Sequence, residues 1–113
     1  MAEHGLLGSF EELVLLAVAH EGDLAYGMTV RRNIERRSGR SVTIGAVYAT
    51  LERLRAKGYL ESHTADGDDA RRGRGRRYYR LLPDGAHALK RARDMHERMW
   101  DGIDLEPHLE GKA

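Results

Sequence analysis

The sequence predicts an α+β domain, mostly α: three helices, a two-stranded hairpin and a closing helix. Three observations lead there. Apolar residues recur at three- and four-residue spacing in three stretches before Gly58 and in one after Pro83. The period changes to two at "YLESHTA" and again at "RRYYRLL". Glycine or proline stands at the changes, at Gly22, Gly39, Gly58 and Pro83.

The first helix is expected in "GSFEELVLLAVAHEG". Ser9 is its cap, Glu12 completes a capping box, Phe10, Leu13, Val14 and Ala17 share one face, and Gly22 stops it. The second lies in "LAYGMTVRRNIERRSG", with Met28, Val30 and Ile34 turned inward and Gly39 at its end. The third lies in "SVTIGAVYATLERLRAKGYL". Ser41 or Thr43 caps it, Ile44, Val47, Leu51 and Leu54 form its apolar side, and Gly58 closes it. The two alternating stretches then make a hairpin whose long loop carries Asp66, Asp68 and Asp69, followed by an arginine run. Pro83 opens the last helix, which continues to about Ile103, and the tail from Asp104 is expected to be loosely packed. Three helices followed by a hairpin make a winged helix-turn-helix. Residues 1–82 are expected to form it, and residues 83–113 a closing helix and tail within the same compact unit.

Bulk composition narrows the function. The chain has 113 residues and a formal net charge of +1, with 41% hydrophobic and 33% charged residues. That suits one soluble domain. The small net charge hides segregation: Arg31, Arg32, Arg36, Arg37 and Arg40 form one basic cluster, and the hairpin arginines form another. Cysteine is absent, which excludes disulfides, thiolate metal sites and cysteine nucleophiles. The N-terminal residues lack a secretory pattern and the apolar run Leu13 to Ala19 is too short to span a bilayer. A cytoplasmic protein with no membrane partner is expected.

The third helix offers a nucleic-acid reader. A helix fits the major groove when its exposed face reaches base edges. That face is expected to hold Thr43, Gly45, Ala46, Tyr48, Thr50 and Arg53. Gly45 and Ala46 permit close approach, and the threonines suit phosphates or bases. Tyr48 has two readings, a phosphate contact or packing beside the core. In the hairpin, Arg72, Arg74, Arg76 and Arg77 suit phosphate or a narrow minor groove. Arg76 and Arg80 share one strand parity with Tyr78 and Arg77 shares the other with Tyr79, so one set faces the domain body. The acids at the tip either hold the arginines apart in the free protein or repel random DNA.

The closing helix places Leu89, Ala92, His96, Met99 and Ile103 at alternating spacing, a seam suited to packing on its own domain or, the preferred reading, to an isologous homodimer in which it packs against the partner's first helix. Catalytic and metal chemistry find no support: no nucleophile, base and orienter set emerges, and "DGDDARRG" lacks the glycine and distal glutamate of a calcium loop. No cofactor is expected. Two other classes remain open, a protein-binding winged helix and an RNA-binding protein acting through "RGRGRR". A DNA reader needs its third helix and its wing on one common surface.

The motifs in order resemble the PadR family of bacterial transcription regulators. The residues carrying the resemblance are Gly45, Val47-Tyr48, Leu51, Arg53-Leu54, Gly58, the Gly73 to Arg77 run, Tyr78-Tyr79-Arg80-Leu81 and Pro83-Asp84-Gly85, with "AYGMTVRRNIE" before them. They span roughly Leu7 to Ile103. Leu82 departs from the threonine usual there, and the acidic insertion lengthens the wing. The short closing helix resembles the family's small subgroup. The resemblance implies a homodimeric repressor that binds operator DNA and often releases it to a small ligand. In such relatives aromatic residues on this helix line a ligand space between subunits; His96, Met99 and Trp100 either hold a small aromatic effector there or pack the interface.

Overall fold

The structure, a computed structural model, describes residues 5–65 and 75–111. Its elements are α1 (Ser9–Glu21), a 3-10 turn (Gly22–Leu24), α2 (Gly27–Ser38), α3 (Ile44–Ala56), β1 (Leu60–Thr64), β2 (Arg77–Leu81), α4 (Pro83–Trp100) and a one-turn α5 (Glu106–Leu109). The order is the one expected. The 3-10 turn and α5 were not anticipated, and α4 ends at Trp100 rather than near Ile103.

Helix α1 begins one residue earlier in the capping frame than the sequence suggested. Gly8 is the N-cap, and its amide donates to Glu11 Oε1 at 3.0 Å. Ser9 is already helical, and Glu12 is instead 3.1 Å from His96 Nε2 on α4. The inward face is also wider than expected: Leu15 and Val18 are buried with Val14 and Ala17, whereas Phe10 and Leu13 pack at its edge.

The α2–α3 turn has specific anchors. Gly39 adopts φ 75°, the left-handed conformation that a residue with Cβ resists, and its amide bonds Glu35 O at 3.0 Å. Glu35 Oε2 accepts from the Val42 amide at 3.0 Å. Thr43 then caps α3, its hydroxyl accepting from the Ala46 amide at 3.1 Å, which decides between the two proposed caps. Val47, Leu51 and Leu54 meet Val14, Leu15, Val30 and Ile34 in the central core. Truncating Leu51 to alanine there would cost about 2–5 kcal/mol.

The hairpin is antiparallel, with Leu60 opposite Leu81, Glu61 opposite Arg80 and His63 opposite Tyr78. Strand β2 is fastened on its other edge as well: the Tyr79 amide donates to Ala25 O at 2.8 Å, and Tyr26 bridges Tyr78. The wing root is therefore three-stranded in effect. Helix α4 starts against it. The Leu82 amide bonds Tyr59 O at 3.0 Å, and a Cβ on Gly85 would lie 2.5 Å from that carbonyl. Only glycine permits this approach, which explains the residue after Pro83-Asp84.

Candidate nucleic-acid interface

Thr43, Gly45, Ala46 and Tyr48 all lie on the exposed side of α3. Ala49 is exposed between them. The sequence reading missed it, although its place four residues after Gly45 puts it on the same face.

Thr50 differs from expectation. It is 2% exposed, and its hydroxyl accepts from Arg53 Nη2 at 3.2 Å. The residue falls between Val47 and Leu54 on the buried side of the helix, so its polarity misled the face assignment. Arg53 is exposed yet anchored, its Nε 3.3 Å from Glu11 Oε2. Lys57 Nζ lies 2.8 Å from the same oxygen. Burial favours the neutral form of Glu11, but the Lys57 bond and the Gly8 amide outweigh it and hold the carboxyl below its ordinary value of 4.5. These bonds tie the start of α1 to the end of α3.

Tyr48 is 42% exposed, and its ring lies on the backbone of Gly27. A Cβ at Gly27 would stand 2.3 Å from Tyr48 Cζ. The neighbouring Tyr26 ring meets Tyr78 edge-on at 5.5 Å between centroids, and the Arg76 guanidinium sits 4.2 Å above the Tyr26 ring. His63 stacks on Tyr78 at 5.6 Å. A continuous run of contacts thus joins the exposed face of α3 to the wing root: Tyr48, Gly27, Tyr26, then Arg76 and Tyr78. Sequence alone did not signal Tyr26 and Gly27 as its link.

Strand parity resolves as a division of labour. Tyr79 is buried, and Arg77 on its parity turns to the body, its Nη1 3.1 Å from Glu52 Oε2. Arg80, on the other parity, pairs with Glu61. Arg72, Arg74 and the three tip aspartates lie outside the described residues.

The seam on α4 is split. Ala92 is 2% exposed and Leu89 packs against the core of its own chain, so this half is not free for a partner. The reason is that α4 lies along α1, as the His96–Glu12 contact shows. Met99, Trp100 and Ile103 are 70%, 59% and 55% exposed. His96 borders a groove of about 360 Å³ with Glu12, Leu16, Leu89 and Arg93, whereas Met99 and Trp100 do not line it. Both are exposed rather than enclosed within the one chain. Among the described residues, no helix is long and apolar enough to cross a membrane, and no group of three metal-capable side chains is gathered.

A winged helix with an exposed third helix contiguous with its wing is the architecture of DNA-binding transcription regulators. The PadR-like family of transcriptional regulators matches the sequence over residues 15–91, and the chain belongs to that family. It is a DNA-binding regulator and not an enzyme. Solved structures agree on the fold. RosR of H. salinarum superposes with a TM-score of 0.66 at 22% identity, covering 87% of this chain and 81% of that one. A PadR family regulator from Clostridium difficile gives 0.60 at 21% identity, over 82% and 88% of the two chains. BpsR of Bordetella bronchiseptica, whose DNA binding is regulated by 6-hydroxynicotinic acid, gives 0.62 at 18% identity, over 96% and 76%. No curated protein matches the sequence.

Proposed function

We propose that the protein is a cytoplasmic, homodimeric repressor that reads operator DNA with α3 and the wing and is released by a small aromatic effector. The contiguity of Tyr48, Gly27, Tyr26 and Arg76 carries the DNA part of this reading, because it puts the helix face and the basic wing root on one surface. Thr43, Gly45, Ala46 and Tyr48 enter the groove in this reading. Arg76, with Arg72 and Arg74, meets phosphate in this reading, while Arg53 and Arg77 are tied to Glu11 and Glu52. A protein adaptor would instead present an apolar patch there. The large exposed apolar residues concentrate after Arg98, at Met99, Trp100, Ile103, Leu105 and Leu109, and Tyr48 alone represents them on α3.

That apolar end supports the dimer. Every residue from His96 to Gly111 is exposed, so the end of α4 stands away from its own core. Residues 1–82 serve as the reading unit and residues 83–113 as the dimerisation arm. Met99 and Ile103 meet the partner, and Leu89, Ala92 and His96 anchor the arm to its own α1. Enclosure of Trp100, Met99 and His96 then requires the second subunit. BpsR, a protein of this fold with a small aromatic regulator, supports the effector.

Selection from a random duplex pool tests this reading. The expected product is an inverted repeat with half-sites about 34 Å apart. A pool that does not enrich would overturn it. For the effector, emission from the single tryptophan should be quenched by flat aromatic acids, and no response across a broad panel removes the ligand from the proposal.

A further inference from the structure

We propose that Glu52 is a positioning residue that fastens the wing to the recognition helix and withholds two arginines from phosphate; the inference rests on the DNA-reading function above. Glu52 sits on α3 with its carboxylate half-exposed. Oε2 accepts from the Tyr79 hydroxyl at 2.6 Å and from Arg77 Nη1 at 3.1 Å, both on β2. Oε1 accepts from Arg55 Nε at 3.0 Å. One carboxylate thus collects two donors from the wing and one from its own helix.

The donor from Tyr79 makes this a geometric lock. Its residue is 2% exposed, and its amide is already bound to Ala25 O at 2.8 Å. Strand β2 is therefore fixed by its backbone on one edge and by this hydroxyl toward α3. Burial, then the Glu52 bond, pushes the Tyr79 hydroxyl up to about 12, so it remains a donor at any physiological pH. The Tyr79 bond is also the foremost cause of the lowered Glu52 value, so the carboxylate stays charged. Charge-assisted bonds of this kind are the strong ones. A helix and wing that must meet DNA together gain from a fixed mutual angle, because their ordering then precedes binding.

The same carboxylate has an electrostatic effect. Arg55 and Arg77 are each about half-exposed, with side-chain values of 44% and 49%, and each is paired with Glu52. Paired arginines release fewer counterions on random DNA, so Glu52 lowers non-specific affinity while preserving the shape that specific binding needs.

Glu52→Gln and Tyr79→Phe separate the two effects. Affinity is measured for the duplex chosen by the wild-type protein and for a scrambled duplex, each across a salt series, with thermal melts to establish folding. Both variants are expected to lower the ratio of specific to scrambled affinity about tenfold. Glu52→Gln alone should also steepen the salt slope by about one to two units, since it alone frees Arg55 and Arg77. Folded variants that keep the wild-type ratio and slope overturn the inference and leave the regulator reading intact. Equal losses on both duplexes at unchanged slope overturn it too, reducing Glu52 to a stabilising contact. A wild-type protein that selects no duplex overturns both.

Discussion

Glu11 and Gly27 show how much a single residue decides here. Glu11 is nearly buried and receives Gly8, Lys57 and Arg53. Replacing it with alanine strips the part-buried Lys57 ammonium of its partner and should cost about 1–3 kcal/mol in urea unfolding. Its folded carboxyl is held below the ordinary carboxylate value, so the stabilisation is present above the unfolded value and is lost as pH falls through the folded one. Glu11→Gln should therefore flatten the acid side of the stability profile. Gly27 gives a contrasting case. Alanine there collides with the far end of the Tyr48 side chain, which can swing away, so the unfolding free energy should change by less than about 1 kcal/mol. DNA affinity should nevertheless fall severalfold, and unchanged affinity would return Tyr48 to a packing role. Polarity gave the sequence reading Thr43 correctly and Thr50 wrongly, because a hydroxyl on the buried side satisfied by Arg53 has the same letter as one that caps a helix.

At the level of elements, boundaries were legible where glycine or proline marks them. Gly22, Gly39 and Pro83 stand at the ends of α1 and α2 and the start of α4, as local backbone chemistry requires. Faces were less legible. The seam Leu89, Ala92, His96, Met99 and Ile103 has one period, yet α1 covers its first part and leaves the rest exposed. Periodicity records that a face is apolar and does not record which chain covers it. If the exposed part meets a second subunit, Trp100→Glu should shift sedimentation toward the monomer while far-ultraviolet dichroism stays near wild type. An unchanged dimer would move the interface elsewhere. The links between α3 and the wing were invisible for a related reason: Glu52, Tyr79, Tyr26 and Arg76 come from distant parts of the chain, and side-chain bonds across such separations leave no local pattern.

For the whole molecule, the order of helices and strands and the family resemblance were both readable, because each follows from short-range pattern. A common surface of helix and wing is a requirement of DNA reading that no local pattern in the sequence expresses. Helix α3 and the wing root approach each other at Gly27, whose missing side chain makes room for the Tyr48 ring and whose neighbour Tyr26 meets Tyr78 and Arg76. Net charge of +1 is compatible with DNA binding, since carboxylates such as Glu11, Glu52 and Glu61 pair with arginines of α3 and the wing. The central claim is that α3 and the wing engage DNA together, and the salt dependence of binding tests it most directly. The selected duplex should bind about a thousandfold or more tighter than a scrambled one, and Arg76→Ala should flatten the salt slope by about one unit on both. Equal affinity for the two duplexes, with a slope that Arg76→Ala leaves untouched, would contradict the account.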